Sequence, residues 1–146
     1  MKEEVPLIVG IGEVLWDRFP DADRLGGAPA NFAFHAAQLG GSSRMVSRIG
    51  QDAEARRLID VLHEHEVDTE YLQRDALHPT GSVKVELNHE QPTYEITAPV
   101  AWDFLETTPE LEALAKQIDA VSFGTLAQRH AVSRATIQQF IKRVPT

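Results

Sequence analysis

Leu7 to Gly12 is an almost unbroken apolar run between Pro6 and a glycine pair, the pattern of a short strand buried on both faces. Glu13 to Phe19 continues it as a second extended piece, and Met45 to Ile49 is a further short strand ending at Gly50. From Gly81 the pattern changes to strict alternation. Val83, Val85 and Leu87 fall on one side, and Ser82, Lys84 and Glu86 on the other. A turn cluster at 88–92 follows, and Tyr94 and Ile96 resume the alternation, so 81–97 reads as an antiparallel hairpin. Helical periodicity appears between these pieces. Asp52 is placed to cap a helix from about Ala53 to His65, with Leu58, Val61 and Leu62 on one face. Thr108-Pro109-Glu110 opens another, with a capping hydroxyl, a first-turn proline and an acid at the positive end of the dipole. Its buried stripe is Leu111, Leu114, Ala115 and Ile118. Ala120 to Phe123 is a strand ending at Gly124. Ser133 is the expected cap of a last helix, with Val132 and Ile137 as a hydrophobic staple. That helix has an apolar face of Ile137, Phe140, Ile141 and Val144. Strands alternating with helices predict an α/β fold with a parallel sheet flanked by helices. No internal repeat or interdomain linker interrupts it.

Composition narrows the function classes. The 146 residues are enough for one domain with a real core, and 42% hydrophobic with 25% charged residues is ordinary for a globular chain. Fourteen Lys and Arg stand against 22 Asp and Glu, a formal net charge of -8, which disfavours a nucleic-acid partner. No apolar run approaches a membrane span, and the acidic start Met1-Lys2-Glu3-Glu4 is unlike a signal peptide. Cysteine is absent, so there is no disulfide or thiolate chemistry. A cytoplasmic location with no membrane partner is the expectation.

The densest chemistry lies at Gly26-Gly27-Ala28-Pro29-Ala30-Asn31. The glycines read as a tight loop feeding a helix from about Pro29 to Leu39, with proline in its first turn. Asn31 offers an amide beside the unpaired N–H groups of the helix start, which together make a polar ligand cradle. Six residues (34–39) separate Ala33 from Gly40, and nine (41–49) separate Gly40 from Gly50. Taken together with Ile8-Val9-Gly10-Ile11-Gly12-Glu13, Asp17 and Ser122-Phe123-Gly124-Thr125-Leu126-Ala127-Gln128-Arg129, this spaced set resembles the PfkB (ribokinase-like) carbohydrate kinases, and the details are most like bacterial fructokinases.

The resemblance implies a ribokinase-like, Rossmann-type sheet with a small antiparallel lid, built here from about 13–19 and 81–97. In that family the lid covers the sugar and is often shared between two subunits, so a homodimer through the lid strands is implied. It also implies that Asp17 bridges sugar hydroxyls, with Gly26, Gly27 and Asn31 completing the contact. Asp17 lies just past the first strand, where open α/β sheets bind ligands. Thr125 follows a strand end and either faces the same pocket or serves as a turn residue. Tyr94 either covers the apolar face of a sugar ring or fills the hairpin face. ATP and Mg²⁺ are the implied cofactors, and a small sugar such as fructose the implied substrate.

Two family segments are missing. No Gly-Asp dipeptide occurs in the sequence, so the segment that supplies the general base and an anion hole has no counterpart. Neither Asn31 nor Asn88 has Glu three residues later, so the Asn-x-x-Glu motif tied to magnesium is absent too. The nucleotide contacts belong to the family's later half. The sequence therefore reads as an N-terminal, sugar-binding part of an incomplete fold, with no catalytic residue and no metal ligand of its own. A non-catalytic remnant that keeps sugar contacts is the alternative. A Rossmann-type nucleotide module is weaker, because Gly10-Ile11-Gly12 is followed by Leu15 where a glycine is required. His63 and His65 point to different helix faces, and the other histidines show no ligand spacing. If the sheet is incomplete, Ile137, Phe140, Ile141 and Val144 form the expected exposed stripe.

Overall fold

The computed structural model describes residues 4–88 and 91–146. The first strand, β1 (Leu7–Ile11), is followed by β2 (Leu15–Arg18), β3 (Asp23–Gly26) and helix α1 (Ala28–Gln38). Next come β4 (Ser42–Gly50), α2 (Ala53–Glu64), and the short β5 (Val67–Asp68) and β6 (Leu72–Asp75). The hairpin β7 (Gly81–Asn88) and β8 (Gln91–Ile96) leads to a 3-10 turn at Ala101–Phe104. Helix α3 (Pro109–Ala115), β9 (Ala120–Phe123), a second 3-10 turn at Leu126–Gln128 and α4 (Ala131–Arg143) complete the chain.

Two sheets result. The larger is parallel, in the order β5-β4-β1-β9, with β6 also paired to β4. The smaller has the order β3-β2-β7-β8; β2 runs parallel to β7, and the other two pairings are antiparallel. The α/β expectation holds, and β3 is an addition to the expected lid. Gly26 is therefore a strand residue that ends β3, and the turn into α1 is made at Gly27.

The larger sheet is covered on both faces, as its apolar strands require. Along β4, Met45 and Ile49 face one core with α1, α2, Trp16, Leu58 and Leu62. Val46 faces the other, with Val9, Ile11, Trp102, Leu111, Leu114, Ile137 and Phe140. Gly10 lets α1 lie close on β1, since a Cβ there would overlap the Pro29 carbonyl oxygen. The expected caps hold at two helices. Asp52 Oδ1 accepts from the Ala55 N–H at 2.8 Å, and Thr108 Oγ1 from the Leu111 N–H at 3.3 Å.

Three expectations are corrected. Ser133 is not a cap: α4 begins at Ala131, and His130 Nδ1 accepts from the Val132 N–H at 3.3 Å. Ser133 is buried instead. Its hydroxyl donates to the Trp102 carbonyl at 2.6 Å and accepts from the Leu105 N–H at 2.8 Å. The stripe expected to be exposed is mostly core, for Ile137 is 0% and Phe140 3% exposed under α3 and β1. Leu87 shares the face of Val83 and Val85 as expected but not their burial; it is 68% exposed, because the outer half of the hairpin projects past the body that buries them. Part of the expected turn cluster, His89 and Glu90, lies outside the described residues. No helix among the described residues is long and apolar enough to cross a membrane.

Candidate functional site

The C-terminal ends of β1 and β9 are neighbours, since Ile11 pairs with Phe123. In an open parallel sheet this is the edge where ligands bind. From it the chain takes two paths. After β1 it turns at Gly12 (φ 141) into the lid strand β2. After β9 it enters the turn that carries Thr125. The start of α1 lies between them, with Gly12 closed in by Pro29 and Ala127.

Asp17 sits on β2 above the end of β3. A Cβ at Gly26 would overlap its Oδ2, so only glycine leaves the carboxylate its place. Partial burial pushes the Asp17 carboxyl above its ordinary range. Among the described residues, no hydrogen bond or ion pair engages it. Arg24 is directly opposite on β3. Its guanidinium, however, lies 3.7 Å from Asp21 and 4.6 Å from the centre of the Phe19 ring. Asp17 is thus a half-buried acceptor without a protein partner, which a hydroxyl-bearing ligand would satisfy.

Gly27 adjoins it as the residue before α1, with φ 103 and a Cβ position only 2.5 Å from the Glu13 carbonyl oxygen. A side chain would be strained there by conformation and by space alike. Its carbonyl accepts from the Asn31 N–H at 2.9 Å, which fixes the first turn of the helix. Asn31 itself is exposed. Its side chain lines a cleft of about 290 Å³ with Leu25, Phe34, His35, Val61 and His65. No hydrogen bond in the structure joins it to Asp17.

Tyr94 belongs to the outer lid strand. The pairings Asp17 with Val83, Val83 with Ile96 and Val85 with Tyr94 put all five on one sheet face. Tyr94 is 63% exposed, so its ring does not fill the hairpin face. The inner part of that face, Leu15, Val83 and Val85, packs with Phe19 and with Leu126, the residue after Thr125. Thr125 is exposed at the start of its turn and makes no side-chain cap. A wider hollow of about 530 Å³, lined by Arg18, Ser82, Lys84, Glu86 and Glu95 among others, lies against the opposite, charged face of the lid.

Glu13 is the residue that sequence reasoning missed. It is 3% exposed between the start of α1 and the turn after β9. Burial raises its carboxyl above the ordinary value, and the backbone N–H groups of Glu13 itself, Ala28 and Ala127 pull it partly back. Its Oε2 has no partner among the described residues. The only hint in the sequence is an acid directly after a buried apolar strand.

Comparison with known proteins places the chain in a family. The family model described as pfkB family carbohydrate kinase matches residues 22–143. The sugar kinase PH1459 of Pyrococcus horikoshii is 30% identical over 119 residues, which cover 82% of this chain and 38% of that protein. Its crystal structure superimposes with a TM-score of 0.82 over 94% of this chain and 49% of that one. Escherichia coli fructokinase is 39% identical over 105 residues, 67% of this chain and 34% of its own length. Vibrio cholerae fructokinase, solved with fructose, ADP and a calcium ion, matches at 25% identity and a TM-score of 0.79, over 97% of this chain and 47% of that one. The chain spans half or less of the length of each of these proteins. With its parallel sheet, its lid and a matched segment that includes the Gly26-Gly27 turn, the chain belongs to the pfkB family of carbohydrate kinases.

Proposed function

We propose that this chain is the sugar-binding portion of an ATP-dependent, fructokinase-like carbohydrate kinase that phosphorylates a primary sugar hydroxyl. The observation that carries the reading is Asp17: a carboxylate without a protein partner, held over Gly26 beside the Gly27 turn. Its oxygens accept hydrogen bonds from sugar hydroxyls, and Gly27 lets the ligand approach the backbone. Asn31, Tyr94 and Thr125 complete the sugar contacts in this reading, Tyr94 by covering the ring from the lid. A second copy docked through the lid strands and a cytoplasmic setting, where ATP is available, belong to the same reading.

The phosphoryl donor and Mg²⁺ do not fit the residues present. Among the described residues, no group of three His, Cys, Asp or Glu is placed to hold a metal ion. The start of α1, a natural anion site, already faces the Glu13 carboxylate. The sequence also lacks the Gly-Asp segment. This chain by itself is therefore expected to bind sugar and not to transfer phosphate. A dinucleotide-binding reading loses its basis, because Gly12 leads into a lid strand and not into a helix.

The test pairs two measurements on the 146-residue chain. Saturation-transfer NMR should show contact with fructose or ribose and none with an acyclic diol. A coupled ATP-to-ADP assay with the same sugars should stay at the no-protein rate. Absence of sugar contact would overturn the proposal, and turnover that co-purifies with the chain would overturn the assignment of phosphoryl transfer to other residues.

A further inference from the structure

Arg129 joins the base of the lid to the turn after β9. Its Nε donates to Asp103 Oδ1 at 2.7 Å, and its Nη2 to Asp103 Oδ2 at 2.9 Å. Nη2 also donates to the Thr97 carbonyl at 2.8 Å. The guanidinium lies 4.1 Å from the centre of the buried Trp102 ring. Asp103 is buried, and its Oδ2 accepts from the Val100 N–H at 3.0 Å as well. One planar fork thus ties the turn that ends at Arg129 to Thr97 and to the buried Trp102-Asp103 pair, a geometry that a point-charge lysine cannot reproduce.

The gripped segments matter for the candidate site. Thr97 is where the lid returns to the body: its N–H donates to the Ser82 carbonyl at 3.2 Å, closing the base of the hairpin. Tyr94 lies one short stretch before it. Arg129 closes the turn that begins at Thr125. The Gln128 N–H donates to the Thr125 carbonyl at 3.0 Å and the Arg129 N–H to the Leu126 carbonyl at 3.1 Å. Leu126, inside that turn, packs under Leu15, Val83 and Val85 of the lid. The other end of the hairpin is anchored independently, by Asp52 accepting from the Thr80 N–H at 2.9 Å and its hydroxyl at 2.7 Å.

We propose that Arg129 is a positioning residue for the sugar site, locking the returning end of the lid to the turn that carries Thr125. This rests on the sugar-site reading for its functional consequence and on the fork alone for its structural one. Tyr94 lies on the lid and Thr125 on the turn after β9, so their separation is set by whatever joins the two. Loss of the fork frees the lid base and the turn together while Asp103 keeps the Val100 N–H.

The test uses the 146-residue chain as wild type, Arg129→Lys and Arg129→Gln, by hydrogen–deuterium exchange and by fructose titration. The lysine variant keeps a positive charge beside Asp103, so it retains the fold if the glutamine variant does not. The expected result is faster exchange in both 91–97 and 125–128, with β1 and β4 unchanged. Fructose affinity should fall by about fivefold or more, the scale of an ordinary coupling between sites. Faster exchange in only one of the two segments, in neither, or uniformly along the chain would overturn the proposal. So would unchanged fructose affinity in variants of a wild type that binds it. If the wild type binds no fructose and the two segments still loosen together, the lock stands and the sugar reading falls.

Discussion

At the scale of single residues, the candidate site depends on Gly26, which makes room for the Asp17 carboxylate. Gly26→Ala is expected to push the Asp17 side chain aside at a modest stability cost of about 1–2 kcal/mol. It should weaken fructose binding about tenfold or more. Calorimetry and a thermal melt separate the two effects, and full affinity in the alanine variant would contradict the role given to Gly26. Asp75 provides an independent electrostatic check. Burial opposes its charge, but the Leu77 and His78 N–H groups, the His78 ring and Arg48 hold its pKa down at about 2, against an ordinary 3.8. A depressed carboxylate stabilises the fold above its unfolded pKa and loses that contribution as pH falls through the folded one. The chain should therefore lose about 2 kcal/mol between pH 4 and pH 2. In Asp75→Asn that part of the acid loss should vanish, with a lower Tm at neutral pH, as melts across a pH series would show. Asp17, Gly26 and Gly27 were legible in the sequence because their spacing is local. Glu13 was not, since Ala28 and Ala127 are brought to it only by the fold, and neither was the part of the Asp75 environment that Arg48 supplies from β4.

Among the elements, the four helices were legible because each carries its own period and, at α2 and α3, its own cap. The strands β3, β5 and β6 were not. They have four, two and four residues, too few for alternation to register, and tertiary pairing alone defines them. The hairpin shows the opposite limit. Its pattern alternates correctly, yet every described residue of β8 is exposed, because an edge strand on a projecting lid has nothing to bury against. Ser133 marks where a local rule yielded to packing: a serine ahead of an apolar run suits a cap, but it serves as a buried bridge between Trp102 and Leu105. The two roles differ in what they tolerate. Asparagine is as good a cap as serine. In the bridge, the larger amide overfills the site, and Ser133→Asn should cost about 2–3 kcal/mol by chemical denaturation. A loss below about 0.5 kcal/mol would restore the capping role.

For the whole molecule, the parallel sheet, the lid and the family were readable because the spaced glycines, Asp17 and the strand–helix order point the same way. Which surfaces close was not, and the core position of Ile137 and Phe140 shows why: α3 and α4 pack on each other and on the sheet within this chain. Open apolar residues on strands lie elsewhere, at Leu87, Tyr94 and Ile96 on the lid and Phe123 on the edge strand β9. Light scattering over a dilution series is expected to show self-association, since such surfaces template pairing. A monomer at every concentration would remove the lid-mediated dimer. The proposed sugar site centred on Asp17 does not depend on that dimer. Isothermal titration of the chain with fructose, wild type against Asp17→Asn, tests it most directly. Measurable binding by the wild type and at least about a tenfold loss in the variant, with unchanged thermal stability, are the expected results. Equal affinity in the two proteins, or no binding by a folded wild type, would contradict it.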